Sequence, residues 1–377
     1  MAELPDSQHL TSSAIFSQYE KVADFSGRPH MGASELGYEC DRYLWLSFRW
    51  AKDNKFNGRM LRLFQTGQLQ EQRLVDDLRS IGIEVSDKDD NGNQHRFSAV
   101  GGHFGGSMDG AGVGFPEAPK TWHVLEFKTS NAKGFNALVK KGVKEAKPQH
   151  WVQMQLYMGW AELTRAMYIV VNKDTDDIYN ERIEFDQAAF DKMIARAEKI
   201  IRAPEPAITI GENADCFTCK FCRFRDQCYH QEAPKVSCRT CAHSTPEMDG
   251  NARWSCDRHH KDLTVDEQRA ACADHRHIPD LLKNWAEVKD LSDNYTLHYI
   301  NKITNAEFNQ PGYTSKDITE CQSKEMIGNP VVTELISDMG GEIINTTNPF
   351  SDMADDLPWV TPVIQPKKAR NAKAKPK

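Results

Sequence analysis

The stretch Ser107-Met-Asp-Gly110 is followed by Leu125-Glu-Phe-Lys128, which places Glu126 17 positions after Asp109. Side chains two positions apart on a strand point to the same face of a sheet, so Glu126 and Lys128 project together. Paired carboxylates are ligands for Mg²⁺ or Mn²⁺, and a lysine beside them stabilises charge on a phosphate under attack. If the two stretches lie on neighbouring strands, the pattern predicts a pocket for phosphodiester hydrolysis.

The surrounding residues favour a hairpin that would bring these stretches together. Gly101–Gly102 and Gly105–Gly106 precede Asp109, and glycines in strands often mark a close approach of the backbone to another group. Val124–Phe127 has the apolar character of a buried strand, and Gly114–Pro119 has the composition of a turn. A lone acidic residue at a strand end is more often a solvated surface group, so this context carries the interpretation.

Two predicted helices flank the candidate pocket in the sequence. Pro148 suits the first turn of a helix, and Gln153 and Tyr157 behind it are four positions apart on one helical face. These side chains can contact a phosphate or a base, although Tyr157 taken alone is better explained as a core residue. Upstream, Leu61–Leu78 has helical apolar spacing and carries Glu71, which is either a third pocket carboxylate or a solvent-facing residue.

The candidate residues occur in a fixed order along the chain: Glu71, Asp109, Glu126 with Lys128, then Gln153 with Tyr157. This order resembles the PD-(D/E)XK superfamily, specifically its RecB-like exonuclease branch, over residues 36–232. The resemblance implies an α/β fold whose restriction-endonuclease-like core is a mixed sheet flanked by helices. It also implies hydrolysis of phosphodiester bonds with a divalent metal.

The resemblance further implies a role for each candidate residue. The ligands of Mg²⁺ or Mn²⁺ would be Asp109, Glu126 and the carbonyl of Phe127, with Lys128 as the catalytic lysine, Glu71 as an accessory acid, and Gln153 and Tyr157 as DNA contacts. Many RecB-like members carry a metal-binding histidine in the first helix, whereas this helix offers only Gly67 and Glu71. His103 and His150 are nearby in sequence and are the alternatives for that metal-binding role, but we interpret both as surface histidines.

The cysteines of the chain indicate metal binding, provided that they are in a reducing compartment. The N-terminus lacks the basic start and apolar core of a signal peptide, and no apolar run is long enough for a membrane span. We therefore expect a cytoplasmic protein, in the host cytoplasm if the source is viral. Thiols stay reduced there, so clusters among the 10 cysteines are expected to bind metal rather than to pair.

The first cluster is Cys216, Cys219, Cys222 and Cys228, which a local zinc ion or an iron–sulfur centre can use. Cys40 stands alone upstream of the predicted core and is otherwise explained as a small buried hydrophobic residue. The arrangement resembles the CRISPR-associated iron–sulfur nuclease and the AddB nuclease domain. That resemblance implies a 4Fe–4S cluster on Cys40, Cys219, Cys222 and Cys228, which leaves Cys216 surplus.

The second cluster contains four cysteines in two separated halves, a spacing that suits a closed structural zinc site. Its members are Cys238, Cys241, Cys256 and Cys272. The surrounding segment has few aliphatic residues, so we expect Zn²⁺ to supply much of its folding free energy.

The predicted organisation has five parts, which are an N-terminal extension (1–35), the nuclease domain (36–232), a zinc-binding module (233–280), a small α/β region (281–347), and a linker with a basic disordered tail (348–377). We expect a hairpin turn at Asp89–Gly92 and a helix from Pro279 to Asp290. Cys321 is expected to be a lone thiol.

The function predicted from the sequence is that of a metal-dependent DNA exonuclease acting in viral or mobile-element recombination, repair or processing. Its expected partners are DNA ends or single strands and a single-strand annealing or recombination protein, with no membrane association. The net charge of −7 does not oppose this, because a nuclease needs positive charge only around its groove. The alternatives are a nucleic-acid-binding scaffold with a vestigial pocket and an iron–sulfur redox-responsive regulator.

Overall fold

The computed structural model describes residues 10–24, 27–230, 232–284, 286–291, 297–301, 305, 307–310, 315, 341–342 and 365–366. The chain divides into two units. The first comprises Met1–Leu44, Asp53–Ala203 and Pro246–Arg253, and the second comprises Trp45–Lys52, Pro204–Thr245 and Trp254–Lys377. The predicted domain boundaries remain predictions, and the predicted linker, basic tail and Cys321 lie almost entirely outside the described residues.

The elements up to residue 202 are seven helices and eight strands among the described residues. The helices are α1 (Leu10–Val22), α2 (Asp41–Phe48), α3 (Gly58–Ser80), α4 (Ala132–Lys141), α5 (Val143–Ala146), α6 (Pro148–Ala161) and α7 (Gln187–Arg202). The strands are β1 (Met31–Gly32), β2 (Glu84–Ser86), β3 (Arg96–Ala99), β4 (Phe104–Ser107), β5 (Gly110–Val113), β6 (His123–Ser130), β7 (Arg165–Asn172) and β8 (Ile178–Glu184).

A five-stranded mixed sheet of order β2-β5-β6-β7-β8 is the centre of the first unit. Strands β5 and β6 pair antiparallel, with Gly110 opposite Leu125, which confirms the predicted hairpin. Strands β6 and β7 pair parallel, and such a pair requires a crossover connection, which here contains α4, α5 and α6. This mixed sheet with helices confirms the predicted α/β fold class.

Helix α3 covers one face of this sheet. Its buried Leu74, Val75 and Leu78 pack in one apolar cluster with Phe127 of β6 and with β7 residues such as Ile169. Phe127 therefore points toward α3, and strand alternation turns its neighbours Glu126 and Lys128 to the opposite face. The local sequence pattern thus decides on which side of the sheet the charged residues lie.

Two local expectations are wrong. The turn at Asp89–Gly92 forms, but β2 pairs with β5 and β3 pairs with β4, so the flanking strands do not form a hairpin with each other. The expected helix from Pro279 is a short 3₁₀ turn (Pro279–Leu282) followed by the strand Ala286–Leu291. Polar and apolar residues mostly alternate in Ala286–Leu291, which is the pattern of a strand. The proline at position 279 therefore begins only a short turn and not a long helix.

The second unit contains short elements. Its helices are α8 (Arg225–Tyr229) and α9 (Val265–Ala270), and its strands are β9 (Ser244–Pro246, ending at the unit boundary), β10 (Trp254–Cys256), β11 (Lys261–Asp262), β12 (Ala286–Leu291), β13 (Leu297–Asn301), β14 (Glu307–Gln310), β15 (Gly341–Glu342) and β16 (Gln365–Pro366). Strands β9 to β11 form one sheet in the order β11-β10-β9, in which β10 and β11 are antiparallel, and β12 to β14 form an antiparallel sheet in chain order.

A buried arginine forms the centre of the second unit. The Arg239 guanidinium lies 3.7 Å from the ring centroid of Trp50 and 4.7 Å from that of Trp254. Its Nε donates to Gln268 Oε1 at 2.9 Å, and one terminal nitrogen donates to the Phe48 carbonyl at 3.0 Å. Stacking on aromatic faces with several hydrogen bonds is how a guanidinium is accommodated in an interior. The aromatic rings here supply core contacts that the few aliphatic residues do not.

Among the described helices, none combines the length and the apolar character that crossing a bilayer would require.

Arg196 of α7 anchors the segment before α2, and we expect its loss to be costly. Its guanidinium donates to Asp41 Oδ1 at 2.7 Å and to the carbonyls of Leu36 and Tyr38. We predict that Arg196→Ala lowers the free energy of unfolding by about 2–3 kcal/mol in urea titrations, because charge-assisted hydrogen bonds to one carboxylate and two backbone carbonyls are lost together. Arg202→Ala on the same helix removes only an exposed pair with Glu198 and should cost less than about 0.5 kcal/mol. Equal effects of the two substitutions would contradict the anchoring role.

Candidate active site

A hydrogen bond brings the predicted residues of the two strands together. Asp109 immediately precedes β5, and its Oδ2 accepts from the backbone nitrogen of Phe127 at 2.8 Å. This bond holds the carboxylate beside the segment of β6 that carries Glu126 and Lys128. The antiparallel hairpin therefore assembles the three charged residues that the sequence pattern predicted to meet.

Glu126 is the deepest of these groups. Its side chain has no exposed surface, and its Oε1 accepts a hydrogen bond from the Lys128 ammonium. Its Oε2 is buried and has no hydrogen-bond partner within the described part of the chain. Lys128 also donates to the Phe127 carbonyl at 3.2 Å. A buried carboxylate oxygen without a partner is unfavourable unless a cation or a proton occupies its lone pair.

A cavity of about 670 Å³ opens over these residues in the first unit. Glu71, Asp109, Lys128, Gln153 and Tyr157 all line it, and Glu126 contacts it through Lys128. Glu71, on α3, accepts from Gln94 Nε2 at 3.0 Å. The fold thus gathers in one place a set that the sequence spreads over more than 80 positions.

The acidic groups of the site titrate above their ordinary range. Burial raises the pKa of Glu126 to about 8 and that of Glu71 to about 6, and repulsion from Asp109 adds to both. Burial also raises the pKa of Asp109. Desolvation alone would lower the pKa of Lys128, but the attraction of Glu126, Asp109 and Glu71 outweighs it and raises that pKa. A cation bound in addition to Lys128 would reduce the repulsion among these carboxylates.

The donor set suits a hard divalent cation. Asp109, Glu126 and Glu71 supply carboxylate oxygens and Phe127 supplies a carbonyl oxygen, which are the ligands that Mg²⁺ and Mn²⁺ prefer. Across the residues that the structure describes, no three or more His, Cys, Asp or Glu side chains are already arranged in a metal-binding geometry. Asp109 is held by the Phe127 nitrogen and Glu126 by Lys128. The fit therefore rests on the chemistry of the donors and on the unpartnered Oε2 of Glu126.

Gln153 and Tyr157 share one face of α6, as predicted. Gln153 Nε2 lies 3.5 Å from the Tyr157 hydroxyl, and both side chains are buried while lining the cavity. A Cβ at Gly106 would lie 2.7 Å from that hydroxyl, so the glycine provides the space that Tyr157 occupies. Tyr157 is consequently both a core residue and a lining residue, and the two interpretations made from the sequence are compatible.

Both histidines that we interpreted as surface residues are placed differently. His103 is fully buried, and its Nε2 lies 2.9 Å from the Glu247 carbonyl. His150 is half-buried, lines the cavity, and has its Nδ1 2.6 Å from the Tyr168 hydroxyl. Arg28 and Arg96 also line the cavity and were not singled out from the sequence. His150 lies three residues before Gln153 on the same helix, and this spacing could have predicted that both side chains face the cavity.

The predicted zinc ligands surround a cavity of about 560 Å³ in the second unit. It is lined by Cys238, Cys241, Cys256 and Cys272, together with histidines that include His259. Burial raises the pKa of Cys238 to about 12 and that of Cys241 to about 11, the neighbouring thiols adding to both. A cation would reverse these shifts by stabilising thiolates. The cysteines are gathered as expected, and zinc itself remains a prediction.

The predicted iron–sulfur ligands belong to both units of the chain. Cys40 lies in the first unit, and Cys216, Cys219, Cys222 and Cys228 lie in the second. Within the second unit, the Cys219 nitrogen donates to Cys216 Sγ at 3.3 Å, so the surplus cysteine contacts a predicted ligand. All the described cysteines are free thiols. The ligand set remains a prediction.

No protein-family model matches the chain, and no curated protein matches it. Among solved structures, the chain is similar to an alkaline exonuclease (LHK-Exo) from Laribacter hongkongensis, with 18% identity over 49% of this chain and 90% of that one and a TM-score of 0.34. It is also similar to SSO0001, with 15% identity over 57% and 94% of the two chains and a TM-score of 0.34. A phage-related exonuclease from Haemophilus somnus 129PT has 17% identity over 35% and 67%, with a TM-score of 0.26. Likeness at this level assigns neither a family nor an activity.

Proposed function

We propose that the chain is a metal-dependent deoxyribonuclease that hydrolyses phosphodiester bonds at DNA ends. The observation that carries this proposal is that Asp109 and Lys128 line one cavity, while Glu126, hydrogen-bonded to Lys128, has its Oε2 buried and unpartnered within the described residues. Structural ion pairs usually have each oxygen satisfied. A buried carboxylate with one unpartnered oxygen, beside a second acid and a lysine that line a cavity, is typical of a catalytic site.

The proposed metal site uses Asp109, Glu126 and the Phe127 carbonyl as ligands, with Glu71 as an accessory acid. When bound there, Mg²⁺ or Mn²⁺ would acidify a water molecule and neutralise charge on the scissile phosphate. Lys128 contacts both Glu126 and the Phe127 carbonyl, so its ammonium is held where it can donate to a phosphate oxygen. Its raised pKa keeps it charged for this role.

The cavity shape supports a nucleotide substrate. A volume of about 670 Å³ is within the range of pockets that bind small ligands, and it is large enough to hold a terminal nucleotide. Arg96 and Phe97 line both this cavity and a neighbouring one of about 520 Å³, which also contains Trp122. We infer that the strand continues along this second cavity, with Arg96 at a phosphate and the aromatic side chains against bases. Gln153 and Tyr157 would contact the strand at the active site.

The cysteine clusters are proposed to be structural. We infer Zn²⁺ on Cys238, Cys241, Cys256 and Cys272, because these thiols converge on one cavity and carry raised pKa values that a cation would correct. The 4Fe–4S cluster on Cys40, Cys219, Cys222 and Cys228 rests on the resemblance described above. The recombination partner and the viral or mobile-element setting rest on the same resemblance.

The first prediction concerns cleavage. We expect the purified protein with Mg²⁺ or Mn²⁺ to release nucleotides from end-labelled linear DNA, and Asp109→Asn, Glu126→Gln and Lys128→Met each to reduce the rate by about 10³-fold, as loss of a group that stabilises transition-state charge does. Asp77→Asn, which alters an exposed acid on α3, should leave the rate unchanged. Absence of cleavage, or cleavage that survives these three substitutions, would instead favour a scaffold with a vestigial pocket.

The second prediction concerns pH. Because the folded-state pKa of Glu126 is raised to about 8, the metal-free site holds a proton below that pH, and a metal must displace it. The apparent affinity for Mn²⁺ should therefore fall about tenfold per pH unit below about pH 8, and more steeply below about pH 6, where Glu71 also binds a proton. Isothermal titration calorimetry measures this directly. Glu126→Gln should remove the shallower dependence, and equal affinity across the range would refute the assignment.

The third prediction concerns metal content. Elemental analysis should find about one zinc per chain, with iron present and a brown colour if the cluster assignment is right. Cys256→Ser and Cys272→Ser should lose zinc and keep iron, whereas Cys222→Ser should do the reverse. Cys321→Ser is the matched control and should change neither. A colourless protein without iron would end both the cluster assignment and the redox-regulator alternative.

A further inference from the structure

His150 and Tyr168 form a buried pair beside the active site. His150 lies in the first turn of α6 and lines the cavity, and its Nδ1 is 2.6 Å from the Tyr168 hydroxyl. Tyr168 has no exposed surface and lies on β7 directly opposite Glu126 in the parallel register. The pair therefore connects the helix that carries Gln153 and Tyr157 with the strand next to the catalytic one.

The direction of this hydrogen bond follows from the protons available. A phenol has one proton to donate, and the Tyr168 hydroxyl has no other hydrogen-bond partner among the described residues. If His150 donated from Nδ1, the phenol proton would be buried without an acceptor, which is costly. Tyr168 is therefore the donor and Nδ1 the acceptor. Burial raises the pKa of Tyr168, so the phenol keeps its proton.

The tautomer of a neutral imidazole follows directly. With Nδ1 accepting, the ring hydrogen must be on Nε2, which lies on the other side of the ring. Burial, with the nearby charges of Lys128 and Lys147, lowers the pKa of His150 to about 3, so the ring is neutral at the pH of any ordinary assay. An Nε2 that carries hydrogen has no lone pair to offer. It can neither coordinate a metal nor accept a proton.

We propose that His150 is a fixed, neutral hydrogen-bond donor that binds an oxygen of the substrate phosphate through Nε2–H, with Tyr168 as the positioning residue that sets its tautomer. This assignment rests on the proposed nuclease function. Lys128, Gln153 and Tyr157 line the same cavity and also present donors, so an anionic oxygen there would be surrounded by hydrogen-bond donors. The acidic residues Asp109 and Glu71 are left for the cation.

Two substitutions of His150 separate its two nitrogens. The Gln amide nitrogen occupies the position of Nε2, so His150→Gln keeps a donor to the phosphate, whereas His150→Asn keeps only a partner for Tyr168. We expect His150→Asn to lower kcat/KM for linear DNA by about 10- to 100-fold, the usual effect of losing a hydrogen bond to a charged group, and His150→Gln by about 3-fold or less. Tyr168→Phe should give an intermediate loss, because the ring is then free to change tautomer. A merely structural role predicts that His150→Asn, which keeps the partner of Tyr168, is the milder change, and that order would overturn the proposal.

A second measurement is independent of activity. Long-range ¹H–¹⁵N correlation spectra of the full chain labelled on histidine nitrogen should show His150 as the Nε2–H tautomer, with its signals identified by their absence in His150→Asn. Tyr168→Phe should shift them toward a tautomer mixture. A ring protonated on Nδ1 would overturn the proposal whatever the kinetics.

The kinetic and spectroscopic measurements together also distinguish a failure of this proposal from a failure of the proposed nuclease function. If the wild type leaves DNA intact, the nuclease function and the phosphate contact of His150 are both refuted, whatever tautomer is found. If the wild type cleaves DNA and loses activity in Asp109→Asn, but His150→Asn is as active as His150→Gln, only the role of His150 is refuted.

Discussion

The hydrogen bond from the Phe127 nitrogen to the Asp109 carboxylate is the contact on which the candidate site depends. It forms at the start of the β5–β6 hairpin and holds one acid beside a second that is wholly buried. Burial raises the pKa of both carboxyl groups, and repulsion from Asp109 adds to the shift of Glu126. Lys128 offsets part of it, and a divalent cation would offset the rest. The hairpin geometry, the electrostatics and the proposed chemistry are thus consequences of one short-range arrangement.

Much of this arrangement could be predicted because its signals are local. Strand alternation around Phe127, turn residues between β5 and β6, and a proline at the start of α6 each act over a few residues, and the structure confirms the elements that they predicted. The same reasoning failed where the deciding contact is distant. His103 is buried and contacts the distant Glu247. Strand β2 pairs with β5 and strand β3 pairs with β4, so these two strands do not pair with each other. No pattern near those residues specifies such contacts.

The second unit shows a different limit of sequence analysis. Its few aliphatic residues predicted dependence on a metal, but its interior also contains Arg239 between Trp50 and Trp254. Sequence gives no reason to bury an arginine, since the group is almost always exposed unless paired. Aromatic faces and carbonyl acceptors make the burial tolerable here. Aromatic stacking is therefore one source of stability in this unit, and the proposed zinc on Cys238 and Cys241, which flank Arg239 in the sequence, would be a second.

Strand β6 is the middle strand of five, with hydrogen-bonded neighbours on both sides. The proposed catalytic residues Glu126 and Lys128 therefore lie on a strand that is paired on both sides, whereas Arg28 and Arg96 line the cavity from other segments of the chain. For the proposed nuclease, substitutions of these two arginines would change how a DNA strand is held without altering the positions of Glu126 and Lys128. A scaffold divided in this way can diversify its substrates while its chemistry stays the same.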